Sequence, residues 1–512
     1  MKRPRAGDVV EQLLSRTQPF QARGAQRAVR GRASLLHRTV PCGVSGLEIA
    51  VERGCHRASP GCSRPGRREV VRVEPRPRRS QRRRHPSSYA DADRHRRSSA
   101  WFVATRPHSV TTIARRMEGT RMPSHRHGAS ASVLSSLSPT ADESHRIADV
   151  VIGDLRLESG IVLPGATLRV EIFGRLAVDG RNAVLLLPGL SADTHAADRP
   201  GDRRSGWWSR ALGPGRGIDT DRWCVVVVDA LGGSHGSTAA RSLGPDGRVW
   251  GGRFPRLTIR DLAAASERLA DALRIERWAG ALGLSFGGMQ ALELLVASDR
   301  VDRVAVVAAP AITDAEQIAT NSLQIDVVRA DPDYADGDYL ASGARPRAGL
   351  ALARRLGMLN YRGQGELHVR FGRTAERSDG EEFAVESHAR KQAARFAETF
   401  DAHAFVTLVD AKNTHDIGRG RGGLAEALSA VDTPLLVIGI DSDRLFPVAQ
   451  QREITRLAPS SVTGREPLVL ESPHGHDSFL IAQEWMGDAI GAFLAGSTPR
   501  TSATRPAELS AV

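Results

Sequence analysis

The chain has 512 residues, a formal charge of +13 and a pI near 10.6. The charge is lopsided: residues 1–130 hold 29 Lys and Arg against 9 Asp and Glu, and the rest holds 42 against 49. The basic balance therefore belongs to an N-terminal extension and does not mark the body of the chain as a nucleic-acid binder. No run of eighteen or more apolar residues occurs, so no transmembrane helix is expected. Positive charge at the N-terminus is followed by no apolar stretch, which argues against a secretory signal. The four cysteines are Cys42, Cys55, Cys62 and Cys224. Cys55, His56 and Cys62 fit no common zinc spacing, so no metal site is expected. Few cysteines and no signal make the cytoplasm the expected compartment.

Residues 1–145 read as a disordered, Arg-rich extension. Arginine runs such as Arg82-Arg83-Arg84, mixed with Pro, Ser and His, offer no apolar periodicity to bury. Interleaved aromatics and a folded RNA-binding signature are lacking, so nucleic-acid binding by this tail is not expected. The expectation is a dispensable segment, with Met117 and Met122 as alternative starts. Order is expected from near Val150. Leu155–Leu163 and Leu168–Phe173 alternate apolar and polar, which predicts an antiparallel hairpin around Pro164-Gly165.

Five continuous apolar runs then suit strands buried on both faces. They are Ala183–Leu187, Cys224–Val228, Trp278–Leu282, Val304–Ala308 and Leu435–Ile440, and a shorter one follows at Leu468–Glu471. Helical spacing covers Thr258–Leu273 and about Phe479–Leu494. Between Ile312 and Leu424 the buried strands stop and charged helical segments take over, at Asp314–Ala330, Ala348–Leu359 and Glu386–Phe400. The predicted organisation is an α/β protein with a mostly parallel central sheet. Its core is 146–311 and 425–496, its inserted helical lid 312–424, and its frayed tail 497–512.

Gly283-Leu284-Ser285-Phe286-Gly287 sits between an apolar strand and a helix. A serine at the apex of such a turn, flanked two positions away by glycines, is the pattern of a nucleophile held in a strained conformation. A serine hydroxyl needs a base. In an α/β-hydrolase the acid and the histidine follow in that order, each on a loop after a later strand. Asp441-Ser442-Asp443 follows Leu435–Ile440, and His474-Gly475-His476-Asp477 follows Leu468–Glu471. Order alone leaves Asp441 or Asp443, and His474 or His476, open. Two backbone donors for an oxyanion are expected from Phe286 and from the Gly189-Leu190 region, with Leu190 as the chosen residue.

Several stretches together resemble the homoserine O-acetyltransferases and their O-succinyltransferase relatives. They include Gly206-Trp207-Trp208, Gly213-Pro214-Gly215-Arg216-Gly217-Ile218-Asp219, Leu231–Thr238, Phe254–Asp261, Tyr361-Arg362, Phe371-Gly372-Arg373 and Asn413–Gly422. The resemblance covers about residues 150–495. It implies an α/β-hydrolase fold with a helical lid, dimerisation through that lid, and no bound cofactor. It also implies acyl transfer from acetyl-CoA or succinyl-CoA, through an acyl-serine, to the hydroxyl of homoserine for methionine synthesis. Within the open choices it points to Asp443 as acid and His476 as base. Asp477 is implied to contact the acceptor's amino group, and Tyr361 and Arg362 are further candidates for substrate binding. One departure stands out: Ile325 lies where the family carries an arginine for the acceptor's carboxylate, and isoleucine cannot pair with one. Arg329 and Arg362 are the candidate replacements. Serine and other hydroxy compounds are therefore alternative acceptors, and ester or thioester hydrolysis is the alternative reaction. Trp207, Trp208 and Trp223 are expected to pack. His415-Asp416 and Arg419–Arg421 are read either as contacts to CoA phosphates or as solvated or lid-packing residues.

Overall fold

The computed structural model describes residues 144–199, 201–376 and 382–499. The expectations for the basic extension fall on residues outside these, apart from Ser144 and His145. So do Cys42, Cys55, Cys62 and residues 500–512 of the tail. Strand β1 (His145–Arg156) and strand β2 (Val162–Phe173) form an antiparallel hairpin. The first described strand thus starts five residues before Val150. The turn is Leu157–Ile161, closed by the Leu157 N–H donating to the Ile161 carbonyl at 2.8 Å. Pro164-Gly165 lies inside β2, which corrects its placement at the turn. Register shifts on both sides of Gly153, together with a positive φ at Gly153 and Gly165, show a local bulge there. β2 gains its second neighbour only from Val170 onward, so the N–H that Pro164 lacks is not needed on that side.

The remaining strands of the main sheet are β3 (Ala183–Leu187), β4 (Cys224–Val228), β5 (Gly280–Leu284), β6 (Val304–Val307), β7 (Leu435–Ile440) and β8 (Leu468–Leu470). Their spatial order is β1-β2-β4-β3-β5-β6-β7-β8. Neighbours from β4 to β8 run parallel, and only the β1–β2 and β2–β4 pairings are antiparallel. The continuous apolar runs are explained by the two faces. Leu185 and Leu187 of β3 enter one core, while Val184 and Leu186 enter the other. Helix α1 (Ile259–Leu273), capped by a Thr258–Asp261 box, and helix α2 (Phe286–Ala297) cover the first face. Helices α8 (Val448–Leu457) and α9 (Gln483–Leu494) lie late in the chain, and α9 covers the second face. The chain order reverses about β3 and β5. Loops leaving the carboxyl ends of adjacent parallel strands at such a point form a crevice.

Between β6 and β7 the chain is helical: α3 (Ala315–Arg329), α4 (Arg347–Tyr361), α5 (Gln364–Phe371), α6 (Ala384–Thr399) and α7 (Ala402–Asn413). Asp314 caps α3 by accepting from the Gln317 N–H at 2.8 Å, and Asp401 caps α7 by accepting from Ala404 at 2.9 Å. The two ends of the inserted segment are joined at its root. The Thr313 N–H donates to the His415 carbonyl, and the Ile417 N–H to the Ala311 carbonyl. The buried His415 ring donates through Nε2 to the Pro310 carbonyl at 2.9 Å.

Burial holds the His415 imidazole down to about 4. In the unfolded chain it titrates near ~6.5. Its contribution is therefore complete above about pH 6.5 and is lost as pH falls toward 4, when only the unfolded chain takes the proton. Between pH 7.5 and 4.5 this group alone should remove roughly 2–3 kcal/mol of stability. Urea unfolding of His415→Gln at the two pH values should show a correspondingly smaller loss than wild type. An equal loss would mean that His415 is not held neutral.

Candidate active site

The turn after β5 has almost no free space. A Cβ on Gly283 would lie 2.3 Å from the Gly287 carbonyl oxygen, and one on Gly287 would lie 1.9 Å from the Leu187 carbonyl oxygen. Only glycine lets α2 start this close to the ends of β5 and β3. Ser285 between them adopts φ 55° and ψ −114°. That left-handed region costs a residue with a Cβ about 1–3 kcal/mol. The Ser285 N–H donates to the Val307 carbonyl at 2.8 Å, which holds the strained peptide against β6. Its side chain caps no helix and is free for another partner.

That partner is His476. It sits on the short turn Gly475–Asp477 after β8, with Nε2 2.7 Å from Ser285 Oγ. On the other side of the ring, Nδ1 lies 2.6 Å from Asp443 Oδ2. A carboxylate only accepts, so the ring proton resides on Nδ1, and Nε2 accepts from the serine hydroxyl. Asp443 is held in turn by the Leu445 and Phe446 N–H groups, which donate to Oδ1 at 2.8 and 2.9 Å. All three side chains are buried. Phe446 and Phe479 approach the imidazole edge-on, with centroids at 5.3 and 5.4 Å, and Tyr361 stands at 6.2 Å. The competing residues have other positions. Asp441 accepts from the Ser472 N–H at 2.9 Å, tying the two loops together, and His474 Nδ1 faces Glu366 at 4.0 Å.

Leu190 follows β3 in the loop beside the serine: a Cβ on Gly189 would lie 3.9 Å from Ser285 Cβ. Among the described residues no group accepts from the Leu190 or Phe286 N–H. Phe286 opens α2, where the helix dipole adds to its donor strength. The geometry thus sets a serine hydroxyl against an imidazole oriented by a carboxylate, beside two unengaged N–H donors.

The substrate-contact expectations fare unevenly. Arg362 is engaged, with Nε 3.2 Å from Asp477 Oδ2 and Nη1 3.0 Å from Glu366 Oε1. It is not a free cation awaiting a carboxylate. Arg329 is exposed, and Ile325 is buried in the apolar core beneath α3. Tyr361 does face the site. Over its ring, at 5.1 Å, lies the guanidinium of Arg354, which has no carboxylate partner among the described residues. The sequence analysis did not single out Arg354, which lies in the charged helical segment Ala348–Leu359. The available signal was its spacing of seven from Tyr361, which puts both on one face of α4. Lys412 was also missed and is buried on α7.

His415 is spent at the root of the inserted segment. Arg421 pairs with Glu293, and Arg419 and Arg260 both pair with Glu158. In this structure these arginines are engaged in ion pairs within the protein, in line with the packing alternative. Trp208 is buried, donating to the Phe479 carbonyl at 3.0 Å, and Trp207 donates to the Asp193 carbonyl at 2.9 Å. Packing is their role too.

A family model described as the alpha/beta hydrolase fold matches residues 182–482. The homoserine O-acetyltransferase of Clavibacter michiganensis subsp. michiganensis is 48% identical over 353 residues, covering 67% of this chain and 91% of that one. The chain belongs to the homoserine O-acetyltransferase family. Among solved structures, the homoserine O-acetyltransferase of Bacillus anthracis is similar with a TM-score of 0.63 at 25% identity, covering 69% of this chain and 98% of that one. The acetyl esterase MekB is similar with a TM-score of 0.59 at 26% identity, covering 69% and 97%.

The close approach at the elbow has a direct test. Gly287→Ala should lower stability by more than about 2 kcal/mol, because its Cβ meets a backbone carbonyl that cannot swing away. Gly365→Ala, an exposed helical position with open space around it, should leave stability unchanged or slightly raised. Urea midpoints measure both. An unchanged midpoint for Gly287→Ala would exclude the close contact between α2 and β3.

Proposed function

We propose that the protein transfers an acetyl group from acetyl-CoA to the hydroxyl of homoserine, through an acyl-enzyme on Ser285. The observation that carries this is the hydrogen-bonded series Ser285–His476–Asp443, 2.7 and 2.6 Å long, in a chain of this family. Ser285 Oγ attacks the thioester carbonyl while His476 Nε2 takes its proton. The oxyanion that forms is met by the Phe286 and Leu190 N–H groups. Collapse expels the CoA thiolate, which leaves with the proton from His476. The homoserine hydroxyl then gives its proton to Nε2 and attacks the acyl carbon. The second collapse releases O-acetylhomoserine and returns the proton to Ser285. CoA leaves the acyl-enzyme before homoserine attacks it, which is the ping-pong order, and the product is a precursor for methionine synthesis.

Residues 312–424 act as the lid that keeps water from the acyl-enzyme, since an acyl-serine in an open site hydrolyses. Tyr361, at the end of α4, brings the lid to the imidazole. Arg354 beside it suits the acceptor's carboxylate, and Asp477 suits its ammonium group. Exposed Leu323, Leu352, Leu359 and Val369 on the lid support pairing of two copies through it. The proposed setting is the cytoplasm, where acetyl-CoA is the donor substrate and not a resident cofactor. No described helix is long and apolar enough to cross a membrane.

Likeness to an acetyl esterase favours one second reading, hydrolysis on the same three residues. Purified protein with acetyl-CoA should release thiol in proportion to O-acetylhomoserine formed. Thiol release indifferent to homoserine, with acetate as the product, would establish the hydrolase instead. Ser285→Ala should remove turnover almost entirely. Asp443→Asn should lower kcat by roughly 10³–10⁴-fold, as expected for an imidazole left in the wrong tautomer. Asp441→Asn should cost far less. Comparable losses at the two aspartates would overturn the assignment of the acid.

A further inference from the structure

A small cavity of about 50 Å³ lies between α3, the end of α4, α7 and the loop that carries Asp443. Its wall includes Asn321, Gln324, Tyr361, Lys412, Arg444 and Leu445. This is the volume of a few waters or of one carboxylate group. It adjoins the reacting centre. Lys412 Nζ stands 5.8 Å over the Phe446 ring, and that ring lies 5.3 Å from the His476 imidazole. Tyr361 shares the cavity and faces the same imidazole.

Lys412 is 5% exposed. An ammonium in such a place ordinarily has a carboxylate partner, because desolvation of a lone charge is costly. Here none of the ion pairs among the described residues includes it. One of its three donors is used, toward Asn321 Oδ1 at 3.0 Å. Asn321 is itself fixed by donating to Asn413 Oδ1 at 2.8 Å, so the ammonium is held from one side by a rigid amide pair. Burial alone moves its pKa, down to about 8, with no acidic neighbour opposing. The carboxylates that border the cavity, Asp314 and Glu316, are exposed at its mouth. Asp314 is occupied in capping α3 and accepting from Gln450.

We propose that this cavity is a carboxylate subsite of the active site, with Lys412 as its cation and Asn321 as the residue that positions it. The proposal rests on the acyl-transfer reading above and extends it to substrate choice. Arg354 and Lys412, both without a carboxylate partner among the described residues, border Tyr361, and the exposed Arg444 stands on the cavity wall, whereas homoserine and acetyl-CoA bring one carboxylate to the reacting centre between them. The carboxylate at Lys412 has two sources: the far end of a dicarboxylic acyl group such as succinyl, or the α-carboxylate of the acceptor. In either case the contact is a charge-assisted hydrogen bond out of water, and its loss should weaken that substrate roughly tenfold to a hundredfold.

The test compares wild type with Lys412→Met, a swap of similar volume that leaves no buried charge. kcat/KM is measured with acetyl-CoA and succinyl-CoA at fixed homoserine, and with homoserine and 3-aminopropan-1-ol at fixed acetyl-CoA. A tenfold or greater fall confined to succinyl-CoA assigns the subsite to the acyl group. A fall confined to homoserine assigns it to the acceptor. Calorimetric binding of succinate and of homoserine to the whole protein gives a readout without turnover, and one of the two should weaken by the same factor. Wild-type binding of succinate and of 4-hydroxybutyrate, neither of which carries an amine that titrates between pH 7 and 9.5, needs no variant. Whichever ligand uses the subsite should bind less well at the higher pH as Lys412 loses its charge, the neighbouring Tyr361 phenol being moved up by burial. If wild type acylates homoserine but neither rate ratio nor binding responds to Lys412→Met, the subsite is overturned and the acyltransferase reading stands. If binding depends on Lys412 but no acyl group is transferred, the reaction is wrong and the subsite stands.

Discussion

The contact between the Gly287 backbone and the Leu187 carbonyl governs the geometry of this molecule. It sets how near α2 starts to the end of β3. Ser285, Phe286 and the Gly189-Leu190 loop are brought together by that one approach. The sheet order makes the approach available, because β3 and β5 are neighbours although β4 and α1 come between them in sequence. Strain at Ser285 is then a consequence of packing. The helix and two strands over-determine the turn, and the serine takes the conformation that is left.

The base side of the site solves a different problem, the burial of charge. Asp443 is buried, yet its carboxylate accepts two backbone N–H bonds and the imidazole proton. A charge satisfied in this way tolerates the low dielectric, and the same dielectric strengthens its hold on His476. The loops bearing the two residues come from adjacent parallel strands and are stitched to each other. Asp441 accepts from Ser472, and Ser442 Oγ accepts from the Gly475 N–H at 2.9 Å. The residue that rivalled Asp443 in the sequence thus contributes by fixing the distance between the loops.

Most of the sheet was legible because strands buried on both faces read as unbroken apolar runs. Ala183–Leu187, Cys224–Val228 and Leu435–Ile440 appear with the predicted limits. The hairpin turn was misplaced because Pro-Gly signals a turn and a bulge equally well. Helix α7 was missed for the opposite reason to the strands: it is buried nearly all round, so Phe405–Val409 shows no helical stripe. At the site, chain order and strand-end placement located Ser285 and narrowed its partners. Family resemblance chose between them. The substrate side resisted, since a carboxylate can be met by any cation the fold brings near. Arg362 looked available in sequence and is paired with carboxylates, while Arg354 and Lys412 looked ordinary and have no carboxylate partner among the described residues.

Ile325 takes on a different meaning in this setting. On α3 it points into the apolar core, and the polar residues of the same helix, Asn321 and Gln324, line the cavity near Tyr361. The isoleucine brings no charge to that cavity. The cation has to come from another element, and α7 crosses α3 with Lys412 at the junction. One lid helix thus supplies the amide and another the charge. Recognition is distributed across a packed interface, and substrate preference in such a site depends on how the lid helices meet as well as on which residues they carry.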